Sequence, residues 1–292
     1  MATVTDIPRD RRTTLVHGVG VILLASVLFG AMAVCVRVTT REMAAVQVAF
    51  VRFSGSLVIL LVVTRGRALR PRAGNLRRVL LRGILGACAI VLYYRGIQGA
   101  GAGLATLLNC TYPVFTALFA TLLMGEQIGL RLAAALVLNV IGVTTIVGSG
   151  WRLGPAVVSG GLSALASAVF AGGAVATARE LRLQESALLI TTYFMAVGML
   201  LTAPALVLTL PALSPGLLLI LGAVVLTSVS GQLLLHQGLG FAPATHGSLA
   251  AATSVVTASL LEAAVLGEHL SAHSLVGAGF MLAAVALAVS RA

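Results

Sequence analysis

Three ionisable side chains stand inside long apolar runs, where lipid makes charge expensive: Glu262 in "TSVVTASLLEAAVL", Arg52 in "VAFVRFSGSLVILL" and His236 near the end of "LTSVSGQLLLHQG". A carboxylate at Glu262 suits proton coupling, recognition of a substrate amine, or a hydrogen bond between helices. Imidazole titrates near neutral pH, so His236 and Glu262 are the leading carriers if protons drive the protein. Arg52 suits either a substrate carboxylate or the carbonyls of neighbouring helices. Uncharged polar groups in these and other apolar runs suit a small zwitterion: Asn109, Tyr112, Thr253 and Ser254 suit cavity walls, while Tyr94 and Gln232, nearer opposite membrane faces, suit either a site or the interfacial belt.

Other chemistries find little support. No GxSxG, HExxH, phosphate-binding loop or CxxC occurs, and Cys35, Cys88 and Cys110 are scattered, as packing residues are. His269 and His273 follow Glu268 with a spacing of four, as metal ligands can, but no further ligand lies nearby. No enzyme activity, metal or other cofactor is expected.

The elements that must hold these groups follow from composition: 59% of the 292 residues are hydrophobic, 9% are charged and the mean hydropathy is +1.07. A spanning helix needs about 20 mostly apolar residues for a hydrocarbon core of roughly 30 Å. Ten such segments are predicted, near 16–36, 43–64, 79–98, 101–124, 131–147, 155–178, 186–208, 215–236, 243–266 and 271–290. Continuous apolar runs exclude barrel strands, which alternate, so the fold class is all-α integral membrane. The 32 glycines and many alanines let helix axes approach closely where lipid offers no hydrophobic drive.

The net charge of +11 comes from nineteen arginines, which sit mainly in short loops. With the N-terminus inside, thirteen fall on inner segments and four on outer ones, and Arg52 and Arg82 remain within helices. The positive-inside rule then puts both termini in the cytoplasm, and "TRGRALRPRAGNLRR" reads as a topology signal beside lipid rather than a nucleic-acid site. Residues 1–15 are expected to form a cytoplasmic segment retained ahead of the first span. The sequence leaves the oligomeric state open.

"TYPVFTALFATLLMGEQI" at 111–128 returns as "TSVVTASLLEAAVLGEHL" at 253–270, a shift of 142 that sets Gly125 and Glu126 on Gly267 and Glu268. A shift of 141 puts "LFGAMAV" on "VFAGGAV" and Phe53 on Phe194. Residues 16–150 and 151–292 are therefore two five-helix repeats. An odd number of spans inverts the second, and inverted halves can exchange roles in alternating access around a midplane site. Pro113 frees a backbone carbonyl and kinks its helix, as a packing bend or a gate, whereas Val255 replaces it in the second half, which need not bend alike. Glu126 and Glu268 stand at helix ends, where a following helix N-terminus favours their charge. Glu262 shares a helix face with Ala251, Val255 and Ala258, and its repeat mate is Ala120, on the face of Asn109, Tyr112 and Thr116.

The motif of Pro113 with Gly125-Glu126, repeated as Gly267-Glu268, together with Arg52, resembles the EamA-type branch of the drug/metabolite transporter superfamily. That resemblance implies ten helices, alternating access and export of amino acids or other small metabolites across a bacterial inner membrane. The lipid bilayer and a small-molecule substrate are the partners it implies. Other solutes, such as drugs, nucleosides or sugars, and a passive channel are the alternatives.

Overall fold

The computed structural model describes residues 11–65, 69–100, 102–147, 155–207, 214–266 and 272–289, and among them there is helix and no strand. The helices are α1 (Arg11–Thr39), α2 (Ala45–Val63), α3 (Leu76–Ala100), α4 (Ala102–Asn109), α5 (Tyr112–Met124), α6 (Leu130–Val147), α7 (Pro155–Arg182), α8 (Ala187–Thr202), α9 (Pro215–Gly238), α10 (Ala244–Ala252), α11 (Ser254–Leu266) and α12 (Ala272–Val289). They make ten spans, because α4 with α5 and α10 with α11 are each one span broken in two. Helix starts are coded locally. Ser186 and Ser214 accept the Leu189 and Leu217 amides through their hydroxyls, and Pro215 opens α9 where its missing N–H costs nothing.

Both breaks differ from the continuous spans expected over 101–124 and 243–266. They fall at Thr111 and Thr253, residues related by the shift of 142. Proline is not the common cause, since the second half has Val255 at the matching position. Threonine is. Thr111 Oγ1 donates to the Leu108 carbonyl at 2.6 Å and Thr253 Oγ1 to the Ala250 carbonyl at 2.7 Å. Each backbone N–H reaches the same carbonyl, at 3.4 and 3.3 Å, so the turn tightens and the α-helical ladder is interrupted. The two halves therefore break alike.

Each half lays its first helix on the other half. A Cβ added to Gly30 of α1 would lie 2.6 Å from Thr257 Cβ on α11, and one added to Gly172 of α7 would lie 2.6 Å from Phe115 Cβ on α5. A Cβ added to Gly18 would lie 2.9 Å from the Ala242 amide nitrogen, just as one added to Gly160 would lie 2.5 Å from that of Ala100. Every member of these pairs maps onto its counterpart by 142. Gly30 therefore corresponds to Gly172, one residue away from the match made by aligning "LFGAMAV" with "VFAGGAV". The glycine has to fall where two helix axes cross, and that contact fixes the register more strictly than side-chain likeness. Phe53 and Phe194 meet edge to face at 5.4 Å between the halves.

The outer surface is apolar, with Val62 71% and Leu219 76% exposed. Water would oppose this, whereas lipid tails are as apolar as leucine. Among the described residues five helices are individually long and apolar enough to cross a hydrocarbon core: Thr13–Thr39, Ala45–Val63, Val157–Arg182, Ala187–Ala205 and Pro215–Gly238. Helix α7 runs a turn beyond the predicted end at 178. It brings Arg179 NH1 to the Leu239 carbonyl and Arg182 Nε to the His236 carbonyl, both at 2.7 Å, so two presumed loop arginines satisfy carbonyls at the C-terminus of α9.

Candidate substrate cavity and its buried arginines

The two breaks meet inside the bundle. Cys110 Sγ faces the carbonyl of its repeat mate Ala252 at 3.9 Å, Tyr112 Oη donates to the Ser248 carbonyl at 3.0 Å, and Asn139 Nδ2 donates to the Cys110 carbonyl at 3.2 Å. Around this crossing lies a cavity of about 150 Å³ with walls from both halves. Arg52, Arg82, Tyr93, Thr106, Asn109, Tyr112, Gln232 and Ser254 are its polar lining, among apolar residues that include Phe29, Met32, Phe194 and Val255.

Two arginines dominate its charge. Arg52 is 1% exposed and Arg82 3%, and their charges repel. Arg52 Nε donates to Ser228 Oγ at 2.5 Å while its guanidinium carbon lies 5.3 Å from the Phe53 ring centre and 6.0 Å from that of Tyr94. The Arg82 guanidinium sits 4.6 Å from the Phe194 ring centre, and its NH2 reaches His236 Nε2 at 3.1 Å. Arg52 NH1, Arg82 Nε and Arg82 NH1 are buried without a hydrogen-bond partner. Among the described residues neither arginine forms an ion pair. Leaving a buried cation uncompensated costs several kcal/mol, which an anion in the cavity removes.

His236 is fully buried, and its neighbours assign its tautomer. Thr191 Oγ1 gives its proton to the Ala187 carbonyl at 2.8 Å, so at 2.7 Å from His236 Nδ1 it accepts, and Nδ1 carries the hydrogen. Nε2 then offers its lone pair to Arg82, with Gln232 Nε2 3.3 Å away. In this conformation His236 is a neutral acceptor that holds Arg82 from α9, with Thr191 of α8 fixing the ring.

Other predicted residues are distributed as follows. Asn109, Tyr112, Gln232 and Ser254 line the cavity, and Asn109 Nδ2 donates to Ser167 Oγ at 2.7 Å. Tyr94 is buried behind Arg52 with its hydroxyl on Met32 Sδ at 3.8 Å, and its neighbour Tyr93 takes the wall, sharing a hydrogen bond with Thr106 at 3.0 Å. Thr253 bonds Ser26 Oγ at 2.9 Å and forms the break. Pro113 lies in the first turn of α5, where its missing N–H matters least. Ala251, Val255 and Ala258 line the cavity, but the side chain of Glu262 lies outside the described residues, as does all of Glu268. The sequence places Arg82 within a helix, as it does Arg52, but assigns it no role, because it lies close behind the basic loop that ends at Arg78. Ser228 gave no signal.

Inverted halves, matched helix breaks and a cavity at their crossing are what a carrier requires, and the sequence pattern of the EamA-like transporter family matches residues 16–148 and again 158–290. The chain belongs to the EamA-like transporter family. Among named relatives of this transporter, the pseudopaline exporter CntI of Pseudomonas aeruginosa is 30% identical over 236 residues, 79% of this chain and 81% of the exporter. Human solute carrier family 35 member G1 is 25% identical over 206 residues, 66% of this chain and 56% of that protein. A protein of known crystal structure shares the fold at a TM-score of 0.76 and 18% identity, covering 93% of this chain and 96% of its own.

In such a transporter one face must close while the other opens. Glu126, at the end of α5, joins the halves on the face where α1 begins: Oε1 accepts from the Ala244 amide at 3.0 Å and Oε2 from the Thr245 hydroxyl at 3.2 Å. It caps α10 in place of Pro243, which makes no side-chain cap, and its charge favours the helix N-terminus. On the same face Glu185 Oε1 accepts from Asn75 Nδ2 at 2.8 Å and from the Arg72 amide at 2.7 Å. Losing the Glu126 cap costs about 1 kcal/mol, roughly a fivefold change in an equilibrium. With Cys35 and Cys88 replaced by serine, Glu126→Ala is expected to speed labelling of Cys110, on the cavity wall, several-fold when an impermeant maleimide is added from this face. An unchanged rate would remove Glu126 from gating.

Proposed function

We propose that this transporter exports small carboxylate-bearing metabolites, amino acids and related compounds, from the bacterial cytoplasm by alternating access, with both termini inside and no catalytic step. The observation that supports it most is the pair of buried arginines on the cavity wall, three of whose N–H groups have no hydrogen-bond partner. Charge-assisted bonds to a carboxylate satisfy such donors in the geometry guanidinium groups favour. The inverted repeats and matched breaks support alternation, the excess of arginine in loops on one side supports the topology, and a relative named as an exporter supports the direction.

The test is counterflow in reconstituted liposomes: unlabelled amino acids and simple carboxylates are loaded inside in excess, and a trace of labelled compound is added outside. Saturable accumulation of label, driven by the internal carboxylate, is the expected result. Accumulation driven only by nucleosides, sugars or cationic drugs overturns the substrate class. Flux without exchange overturns the carrier reading in favour of a channel.

A further inference from the structure

We propose that the cavity is built for a substrate with two carboxylates, one for Arg52 and one for Arg82, so that net-acidic metabolites are taken in preference to neutral zwitterions and cations. This narrows the carboxylate reading above and rests on it.

The two cations are held in the same manner. Arg52, from α2, is fixed by the Ser228 hydroxyl, and Arg82, from α3, by the neutral His236 ring. Hydroxyl and imidazole acceptors orient a guanidinium without cancelling its charge. Each side chain is almost completely buried and keeps NH1 unsatisfied, and Arg82 keeps Nε as well. Arg179 Nε is also unpartnered, but Arg179 NH1 and Arg182 Nε are spent on the Leu239 and His236 carbonyls, and neither residue lines the cavity. Arg52 and Arg82 line it, and their hydrogen bonds go to Ser228 Oγ and His236 Nε2.

Charge counting sets the substrate class. One carboxylate compensates one arginine and leaves the other cation buried against its neighbour's repulsion, with a cost of several kcal/mol. A neutral amino acid adds no net negative charge to the two cations, whereas glutamate, with the same ammonium group, adds one through its second carboxylate, and the described cavity lining has no carboxylate of its own. Two carboxylates compensate both cations and use donors that are otherwise orphaned. A cation meets two like charges at low dielectric and is rejected.

L-Glutamate and L-glutamine separate charge from shape because they share a skeleton. Liposomes carrying the protein are loaded with one of L-glutamate, succinate, L-glutamine, L-leucine or L-lysine, and labelled L-glutamate or L-glutamine is added outside. Glutamate and succinate are expected to drive exchange about tenfold better than glutamine, with lysine inactive. Arg52→Gln is expected to narrow the glutamate-to-glutamine ratio to within about threefold, and Arg52→Lys, which keeps the charge, to restore part of it. Where Arg52→Gln does not fold, Arg82→Gln reads the same ratio. Glutamine equal to or better than glutamate in the wild-type protein overturns the two-carboxylate inference while carboxylate transport stands. Failure of every carboxylate with folded protein, verified by size-exclusion chromatography, overturns both. A ratio that is unmoved by both glutamine variants removes the arginines as its cause.

Discussion

Arg82→Gln is expected to reduce carboxylate exchange at low substrate concentration by roughly 10- to 100-fold while leaving the protein as stable as before or more so. The transport loss follows from removing a charge-assisted bond worth about 1.5–3 kcal/mol at a buried site. The stability effect has the opposite sign because Arg82 is buried with Nε and NH1 unpaired and with Arg52 repelling it. A buried charge without a counter-charge destabilises the empty state, and neutralising it relieves that cost. Initial rates of counterflow and thermal unfolding midpoints in one detergent measure both. A variant that unfolds early places Arg82 among the structural ties of α3; one that transports normally removes it from the site.

The second large effect concerns packing. Gly30→Val is expected to abolish folded protein, whereas Gly20→Val, ten residues earlier in the same helix, is expected to be nearly silent. At Gly30 an added Cβ lies 2.6 Å from Thr257 Cβ and 2.8 Å from both the Ala258 nitrogen and the Ser254 carbonyl oxygen. Two of these atoms are backbone, so α1 and α11 must separate, and overpacking of this kind costs about 3 kcal/mol or more. At Gly20 nothing lies within 4 Å. Gly172→Val, at the equivalent site of the other half, is expected to match Gly30→Val, since Phe115 Cβ and the Thr116 nitrogen stand at 2.6 and 2.8 Å. Yield of monodisperse protein after extraction decides. Equal yields from Gly20→Val and Gly30→Val would contradict this account of how the halves interlock.

Among cavity residues, Arg82 and Arg52 show what could be read in advance. Arg52 stands alone in an apolar run, so its cost in lipid is visible from its neighbours in sequence. Arg82 is also legible as an arginine within a helix, but it stands near that helix's start, close behind Arg77 and Arg78, and only its contacts with His236 and Phe194 show what it does there. His236 reads as a titrating group because imidazole is one in water. Its tautomer and its grip on Arg82 depend on Thr191, 45 residues away in the chain, and on a hydroxyl already committed to the Ala187 carbonyl.

Sequence by itself determined that the chain is a helical membrane protein of ten spans in two inverted halves. Each of these properties is carried by segment length, continuous hydropathy and a repeat of odd span number, none of which needs a distance. It also placed Glu126 at a helix end that suits a carboxylate, though not the α10 terminus it caps. Only the tertiary structure decided the rest: that Thr111 and Thr253 break both halves alike despite a single proline, that Gly30 is the mate of Gly172, and that Arg52 and Arg82 share one cavity. Those facts depend on which helix faces meet. In a membrane, close contact and satisfied polar groups choose the facing sides, while hydrophobic periodicity, the usual guide, is erased because lipid and core are equally apolar.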